Sequence, residues 1–425
     1  MMARRQRRIG FVSTRLSGTD GVSLETRKWS DVLTGLGHTC FYFAGESDWP
    51  AELSCVVPEV HFQHPDVQDL NASLFGSSVR SPQMTQRMQE MKRRLKADLR
   101  CFVRSFDPDL LIVENALAIP MHVPLGLALT EFIAEEGTAV IAHHHDFAWE
   151  RSRFWPNAVA DYLESAFPPT LPSMRHVVIN SIAADQLARR RGARATVIPN
   201  VMDFDSPPTT DGPGGQEWAD DLRSTLGIES DERLLLQPTR VVPRKGIERA
   251  IELAARLQHR CALVVSHASG DEGTAYEAYL RRHADLIGVR IIFAAEAFAH
   301  RRRRTSGGRK VYALSDVYRQ ADLVTYPSLI EGFGNAFLEA VYYRCPIVVN
   351  RYDVFRADIE PKGFDVVAFD GFIREETVCR VEAILEDAAM EAQIVAHNYS
   401  LGQKHYSYRA LERHLTALLD ECADT

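Results

Sequence analysis

Short apolar runs alternate with stretches of helical periodicity along the whole chain, the pattern of βα units whose strands are buried on both faces of a parallel sheet. In the first half, strands are predicted at Arg8 to Ser13, Thr39 to Phe43, Leu110 to Glu114, Ala139 to His143, His176 to Asn180 and Thr196 to Ile198. In the second half they are predicted near Leu234 to Gln237, Ala262 to Ser266, Val289 to Phe293, Leu323 to Tyr326, Ile347 to Asn350 and Val366 to Phe369. Each set suffices for its own doubly wound sheet, so the expected class is α/β with two domains. Met84, Met88, Met91, Leu95, Leu99 and Phe102 recur at helical spacing and predict one long helix with a buried stripe. Tyr408 to Leu419 predicts a second amphipathic helix. Asp203 to Gly215 is rich in Pro, Gly and polar residues without periodicity, which marks a linker. The expected division is 1–203, a linker 204–215, 216–395 and a closing helical segment 396–425.

A chain of 425 residues is too long for one ordinary core and suits two domains. Its 49 basic and 57 acidic side chains give a net charge of −8, which argues against nucleic acid as the main partner and leaves small anions open. No apolar run approaches the roughly 20 residues of a membrane span. The basic start leads directly into a strand pattern, and a cytoplasmic location is expected. The seven cysteines are scattered, with no C-x-x-C, so neither a zinc site nor a disulfide framework is suggested. Cys40, Cys261 and Cys345 lie in or beside apolar strand patterns and are expected to be small buried hydrophobes.

The most informative stretch runs from Ser328 to Ala340, where Glu331 and Glu339 flank a glycine turn leading from a predicted strand into an amphipathic helix. Gly332 and Gly334 let backbone approach a ligand, and N–H groups of the first helical turn, from Gly332 through Phe333, Gly334, Asn335 and Ala336, suit a diphosphate. The two carboxylates can accept from hydroxyls on either side of it. An N-terminal charge and a solvated helix face are the plainer alternative. Upstream, Arg240 and Lys245-Gly246 follow a strand, placing two cations where sheet ends meet ligands, although basic loop residues are commonly just solvated. Ser17 to Glu25 follows the first strand and begins the first helix; G-x-G-x-x-G is absent, which argues against a nicotinamide dinucleotide fold. Consecutive His143, His144 and His145 cannot all face one metal, because neighbouring strand side chains alternate direction.

Together these motifs resemble the retaining glycosyltransferases of family 4. Glu331 to Glu339 is similar to that family's E-x7-E signature, and Arg240 to Gly246 to its R-x4-K-G element. The N-terminal loop is similar to its G-G-V element, with Asp20 where the first Gly is expected. Val197 to Asp203 resembles its I-P-N-G-V-D segment, with Val201 in place of Gly. The resemblance implies the GT-B fold: two Rossmann-like domains facing across a cleft, with a C-terminal helix crossing back onto the first. It implies that Arg240 and Lys245 neutralise the donor diphosphate, Glu331 and His145 contact the hexose, Glu339 holds the ribose, and Gly21 offers a backbone contact to phosphate or acceptor.

The run His143 to Phe154 is also similar to a subgroup that uses GDP-mannose and an acidic glucosylglycerate acceptor. His144, Asp146, Arg151 and Arg153 are then candidates for the acceptor, with a structural ion pair equally open for the arginines. The implied activity is transfer of a hexose, mannose from GDP-mannose before glucose from UDP-glucose, to a small soluble hydroxylated acceptor. A nucleoside-diphosphate sugar is the co-substrate, and neither an obligatory cofactor nor a divalent cation is indicated. Epimerisation or hydrolysis of the same donor, and nucleotide-sugar binding without catalysis, are the alternatives. Two departures bear on donor identity: Arg344, where the family has a small residue, and Tyr352 to Asp358, where it has a glycine-rich stretch. Arg301 to Arg304 with Ser306-Gly307-Gly308 reads as a mobile basic loop in solvent.

Overall fold

The computed structural model describes residues 6–206, 218–269, 274–299 and 301–422. The chain forms two units. One holds residues up to Val201 together with those from Leu411 onward, and the other spans Met202–Ala410. Of the predicted linker, 207–215 lies outside the described residues.

The first unit has a seven-stranded parallel sheet in the order β3-β2-β1-β4-β5-β6-β7. Its strands are β1 (Arg8–Val12), β2 (Thr39–Ala44), β3 (Ser54–Val56), β4 (Leu110–Glu114), β5 (Val140–His144), β6 (Met174–Val178) and β7 (Ala195–Val197). Six of these match the apolar runs within a residue or two. β3 escapes the pattern because an edge strand of three residues, each at least partly exposed, has no apolar run to announce it. Register is tight at the centre: a Cβ at Gly10 would lie 2.7 Å from Leu111 Cδ2 on β4.

The predicted long helix is Pro82–Phe106. Ser81 caps it by accepting the Met84 N–H, Pro82 starts it, and Asp107 ends it in the left-handed conformation at φ 42°. Met88, Met91, Leu95, Leu99 and Phe102 are buried as one stripe, while Lys96, also buried, is neutralised by Glu131 and Glu135 on the neighbouring helix Val123–Glu136. The closing helix Tyr408–Glu421 supplies Leu411, Leu415, Leu418 and Leu419 to the core, and Arg7 donates to the Leu419 carbonyl at 2.9 Å.

The second unit has a six-stranded parallel sheet in the order β10-β9-β8-β14-β15-β16. The strands are β8 (Arg233–Gln237), β9 (Cys261–Val265), β10 (Arg290–Phe293), β14 (Leu323–Tyr326), β15 (Ile347–Asn350) and β16 (Val367–Phe369). A small sheet of β11 (Phe298–Ala299), β12 (Arg303–Arg304) and β13 (Lys310–Ala313) lies between β10 and β14 in sequence. It corrects the reading of Arg301 to Arg304 as a loop: 303–304 form a strand and Arg302 is ion-paired, while Arg301, Arg303 and Arg304 are exposed to solvent as expected. Arg303 and Arg304 pair antiparallel with Val311 and Lys310, Arg302 makes a multidentate ion pair with buried Asp316, and Arg304 and Lys310 both lie over the Trp218 ring. All seven cysteines are free, with Cys40 and Cys345 buried and Cys261 partly so.

Candidate active site

In an open α/β sheet the loops diverge at the carboxyl ends of strands where the order reverses, and a ligand fits there. In the second unit that point is between β8 and β14. Buried Gln237, ending β8, donates to the Thr239 hydroxyl at 2.7 Å and accepts from the Thr325 hydroxyl of β14 at 2.8 Å. This bridge fixes where both loops begin. Beyond it, Leu329 N–H donates to the Arg244 carbonyl at 2.8 Å. Gly246 adopts φ +58°, and a Cβ there would lie 2.6 Å from the Pro327 carbonyl oxygen, so only glycine permits the approach.

The approach brings Lys245 onto Glu331. The two side chains form a short ion pair, both about nine-tenths buried, with Arg244 3.7 Å from the other carboxylate oxygen and the Tyr326 ring 5.8 Å from the ammonium. Burial pulls the Lys245 ammonium below its usual range, aided by the charges of Arg244 and Arg240 and opposed by Glu331. Arg240 is exposed and has no ion-pair partner among the described residues. His267, two residues past β9, is a site residue the sequence reading missed. Its imidazole meets the Ser266 hydroxyl at 2.9 Å, and burial plus the charges of Lys245 and Arg240 lower its pKa. No motif marks it; only the position just after a strand could have.

The glycine turn is built from two directions. Asn350 of β15 donates to the Ser328 carbonyl at 3.0 Å and accepts the Gly371 N–H at 2.9 Å. Tyr352 donates to the Phe333 carbonyl at 2.8 Å, and its oxygen would be 2.3 Å from a Cβ at Gly334, which sits at φ +127°. The helix Asn335–Tyr342 follows, its first bonds closed by Phe337 and Leu338 N–H groups on the Gly334 carbonyl. Phe333 is buried edge-on to Tyr406 at 5.4 Å, so its side chain belongs to the core and only its backbone can serve a ligand. Glu339 accepts from the Tyr318 hydroxyl at 2.7 Å. The two departures from the family pattern take on structural roles: Tyr352 fills the space Gly334 leaves, and Arg344 ends the helix at φ 58° with its guanidinium 3.8 Å over the Tyr399 ring.

In the first unit the order reverses between β1 and β4. Glu114 ends β4 fully buried, and β5 beside it carries the histidine run. Strand alternation separates the three. His143 meets Glu114 Oε2 through Nδ1 at 2.9 Å and His145 meets the same oxygen through Nε2 at 3.4 Å, whereas His144 points to the opposite face and pairs with His176 at 2.9 Å. His144 was expected to contact an acceptor; it is instead buried between His176 and Phe147, where burial holds it well below the usual histidine pKa.

Glu114 was not singled out from the sequence, and the Glu114, His143 and His145 trio offers metal-ligating atoms within 4.8 Å of one another, a grouping the alternation argument did not weigh. Burial alone would raise the Glu114 carboxyl; the two imidazoles bring it down to about 2. Asn115, at φ 58°, ties the strand ends together by accepting the His145 N–H at 3.0 Å and donating to Asp146 at 2.9 Å. Asp146 in turn accepts from Arg151 at 2.7 Å, the ion-pair alternative for that arginine, while exposed Arg153 lies over the Phe154 ring. At the first helix, Gly21–Gly35, Asp20 accepts the Val22 and Ser23 N–H groups at 3.1 Å and pairs with Arg15 at 2.8 Å. The residue replacing the family's glycine thus supplies its own anion there, and the expected phosphate contact at Gly21 meets a helix start whose next two donors are already taken.

Two Rossmann-like parallel-sheet units, each with charged and hydrogen-bonding groups at its point of strand reversal, have the architecture of the GT-B fold. Residues 219–401 match the family described as Glycosyl transferases group 1. The chain belongs to that family. Within it, the chain is 31% identical to the mannosylglucosylglycerate synthase of Thermotoga maritima, covering 95% of this chain and 98% of that protein. It is 30% identical to the enzyme of the same name from Petrotoga mobilis, over 85% and 86% of the two chains. Among solved structures, a glycosyltransferase from Rickettsia africae superposes with a TM-score of 0.68 at 13% identity, over 98% and 99% of the chains. Anabaena HepE in complex with UDP and glucose gives 0.63 at 14% identity, over 98% and 100%. Among the described residues, no helix is long and apolar enough to cross a membrane.

Proposed function

We propose that this chain is a retaining hexosyltransferase of family 4 that moves mannose from GDP-mannose to a hydroxyl of glucosylglycerate, with UDP-glucose as the next donor in order. The observation that carries the reading is the buried Lys245–Glu331 pair at the β8–β14 reversal, flanked by Arg240 and Arg244. A buried ion pair gains little stability over an apolar one, and this pair with its flanking arginines is read as machinery for an anionic ligand. The likeness to two proteins named mannosylglucosylglycerate synthase, over 95% and 85% of this chain, supports a mannosylglucosylglycerate product.

In this reading Arg240 and Lys245 hold the diphosphate, backbone from Gly332 to Ala336 adds donors, Glu331 and His145 address the hexose, and Glu339 binds ribose. The C–O bond to the β-phosphate breaks as the acceptor oxygen bonds to the same face of the anomeric carbon, and the departing phosphate takes the acceptor proton. Charge that grows on the leaving oxygen is met by fixed cations, worth about 10²- to 10³-fold in rate for each strong donor. Arg151, Arg153 and Asp146 are the acceptor candidates, Arg151 being available to a carboxylate on exchange of its Asp146 contact. Purified enzyme incubated with GDP-mannose and glucosylglycerate should release GDP and yield an α-mannoside by NMR. An inverted product would end the retaining assignment, and donor hydrolysis or epimerisation without transfer would replace it with another activity.

A further inference from the structure

Glu114 poses a problem of charge. Its carboxylate is wholly buried, Oε1 has no hydrogen-bond partner among the described residues, and both of its imidazole contacts fall on Oε2. A carboxylate in such a place must be protonated or matched by a cation, because an isolated buried charge is far too costly. The two histidines are not equivalent candidates for that cation. His143 is fully buried, stacked 4.2 Å from Trp29, and its Nε2 lacks a partner among the described residues, which favours the neutral ring with its proton on Nδ1 toward Glu114. His145 has its backbone fixed by Asn115 and its side chain one-tenth exposed, it meets Glu114 at 3.4 Å, and the negative charges of Glu25 of the first helix and Asp146 also favour its protonated form. Opposing them, the neighbouring His143 ring is 4.5 Å away, Lys28 is committed to Glu25 at 2.9 Å and Arg151 to Asp146.

We propose that Glu114 is a positioning residue for His145: it accepts from Nε2–H, fixes the ring, and keeps the imidazole protonated so that Nδ1–H is a charged donor to a sugar oxygen. His143 then serves as a second, neutral support that holds the carboxylate against Trp29. Burial opposes protonation of His145, and the neighbouring carboxylates outweigh it, so the net displacement of its pKa is upward, in keeping with this assignment. The inference rests on the reading of His145 as a hexose contact, but its first test does not.

That test is a pH titration of histidine-labelled, substrate-free protein by NMR, with the His145 signal assigned from its loss in His145→Asn. In Glu114→Gln, which keeps the shape and removes the charge, the His145 pKa should fall by about 1 to 3 units. The kcat for transfer should fall about 10-fold or more, with the basic limb of its pH profile displaced to lower pH and the donor KM little changed. Glu114→Asp keeps the charge and should retain the raised pKa while losing part of kcat, which also guards against a Gln variant that does not fold. An unchanged His145 titration overturns the assignment, as does one equivalent of tightly held zinc that Glu114→Gln abolishes, since the trio would then be a metal centre. Full transfer by His145→Ala instead overturns the underlying reading, a failure the titration does not share.

Discussion

The two units share a topology and differ in how they furnish the same place in it. At the β1–β4 reversal the first unit gathers imidazoles around a buried carboxylate, and on the other face of β5 it buries a further His144–His176 pair. At the β8–β14 reversal the second unit gathers arginines, a lysine and a glycine turn. Guanidinium charge is independent of any working pH, whereas imidazole charge is not. The contrast teaches that one scaffold position can hold charge permanently or conditionally, and the proposed chemistry needs both: a constant clamp for a diphosphate and a directional donor for a hexose.

Acid should separate the two units most. His122 accepts the Leu125 N–H through Nδ1 while Nε2 meets the Glu59 carbonyl, a neutral-ring arrangement that caps the helix Val123–Glu136. His176 faces His144, and both cannot be charged. Burial lowers His122 and His176 to about 4 each. Their folded-state pKa values lie below the unfolded 6.5, so the stability they contribute is full above pH 6.5 and is lost as pH falls toward 4, about 2 kcal/mol for each by pH 5. Hydrogen exchange at pH 7 and pH 5 should show 110–136 and 174–191 losing protection ahead of the second unit, whose lowered histidines, His267 and His405, neither cap a helix nor face another imidazole among the described residues. Equal loss in both units would break the contrast.

Next in size, Lys245→Ala should lower kcat/KM by at least about 10²-fold with GDP-mannose and weaken nucleoside-diphosphate binding in a thermal-shift assay. Near-normal turnover would discard the clamp. Gly334→Ala should cost about 2 kcal/mol or more in urea unfolding, because the new methyl meets Tyr352 at a φ that L-residues avoid. Adding Tyr352→Phe should return part of it; no recovery would show that backbone strain alone sets the cost. Smallest, Asp20→Ala should cost about 1 kcal/mol of cap stability. If it also tightens phosphate binding to the first unit, the freed N–H groups of Val22 and Ser23 are a usable anion site that Asp20 normally occupies.

The sheet architecture was legible because each central strand is a contiguous apolar run, and the second unit's site was legible because its residues sit within two short motifs, 240–246 and 331–339. Contacts between distant segments were not. Glu114 reads as the last residue of a strand, and only pairing of β4 with β5 sets it beside His143, 29 residues away. Alternation did place His143 and His145 on one face in principle, but the partner that gives the pair meaning lies on another strand. β11 to β13 were invisible because strands of two to four residues are too short to show a period. Arg344 and Tyr352, which looked like disturbances of a donor pocket, act on a helix end and on a glycine turn through ring contacts that no local spacing encodes.

The closing helix has a bearing on biosynthesis. The sheet that leaves the ribosome first lacks Leu411, Leu415, Leu418 and Leu419 until synthesis has passed the entire second unit. The earlier-made unit is therefore the later one to be sealed, and an alteration near residue 415 should register as damage some four hundred positions upstream, around Arg7.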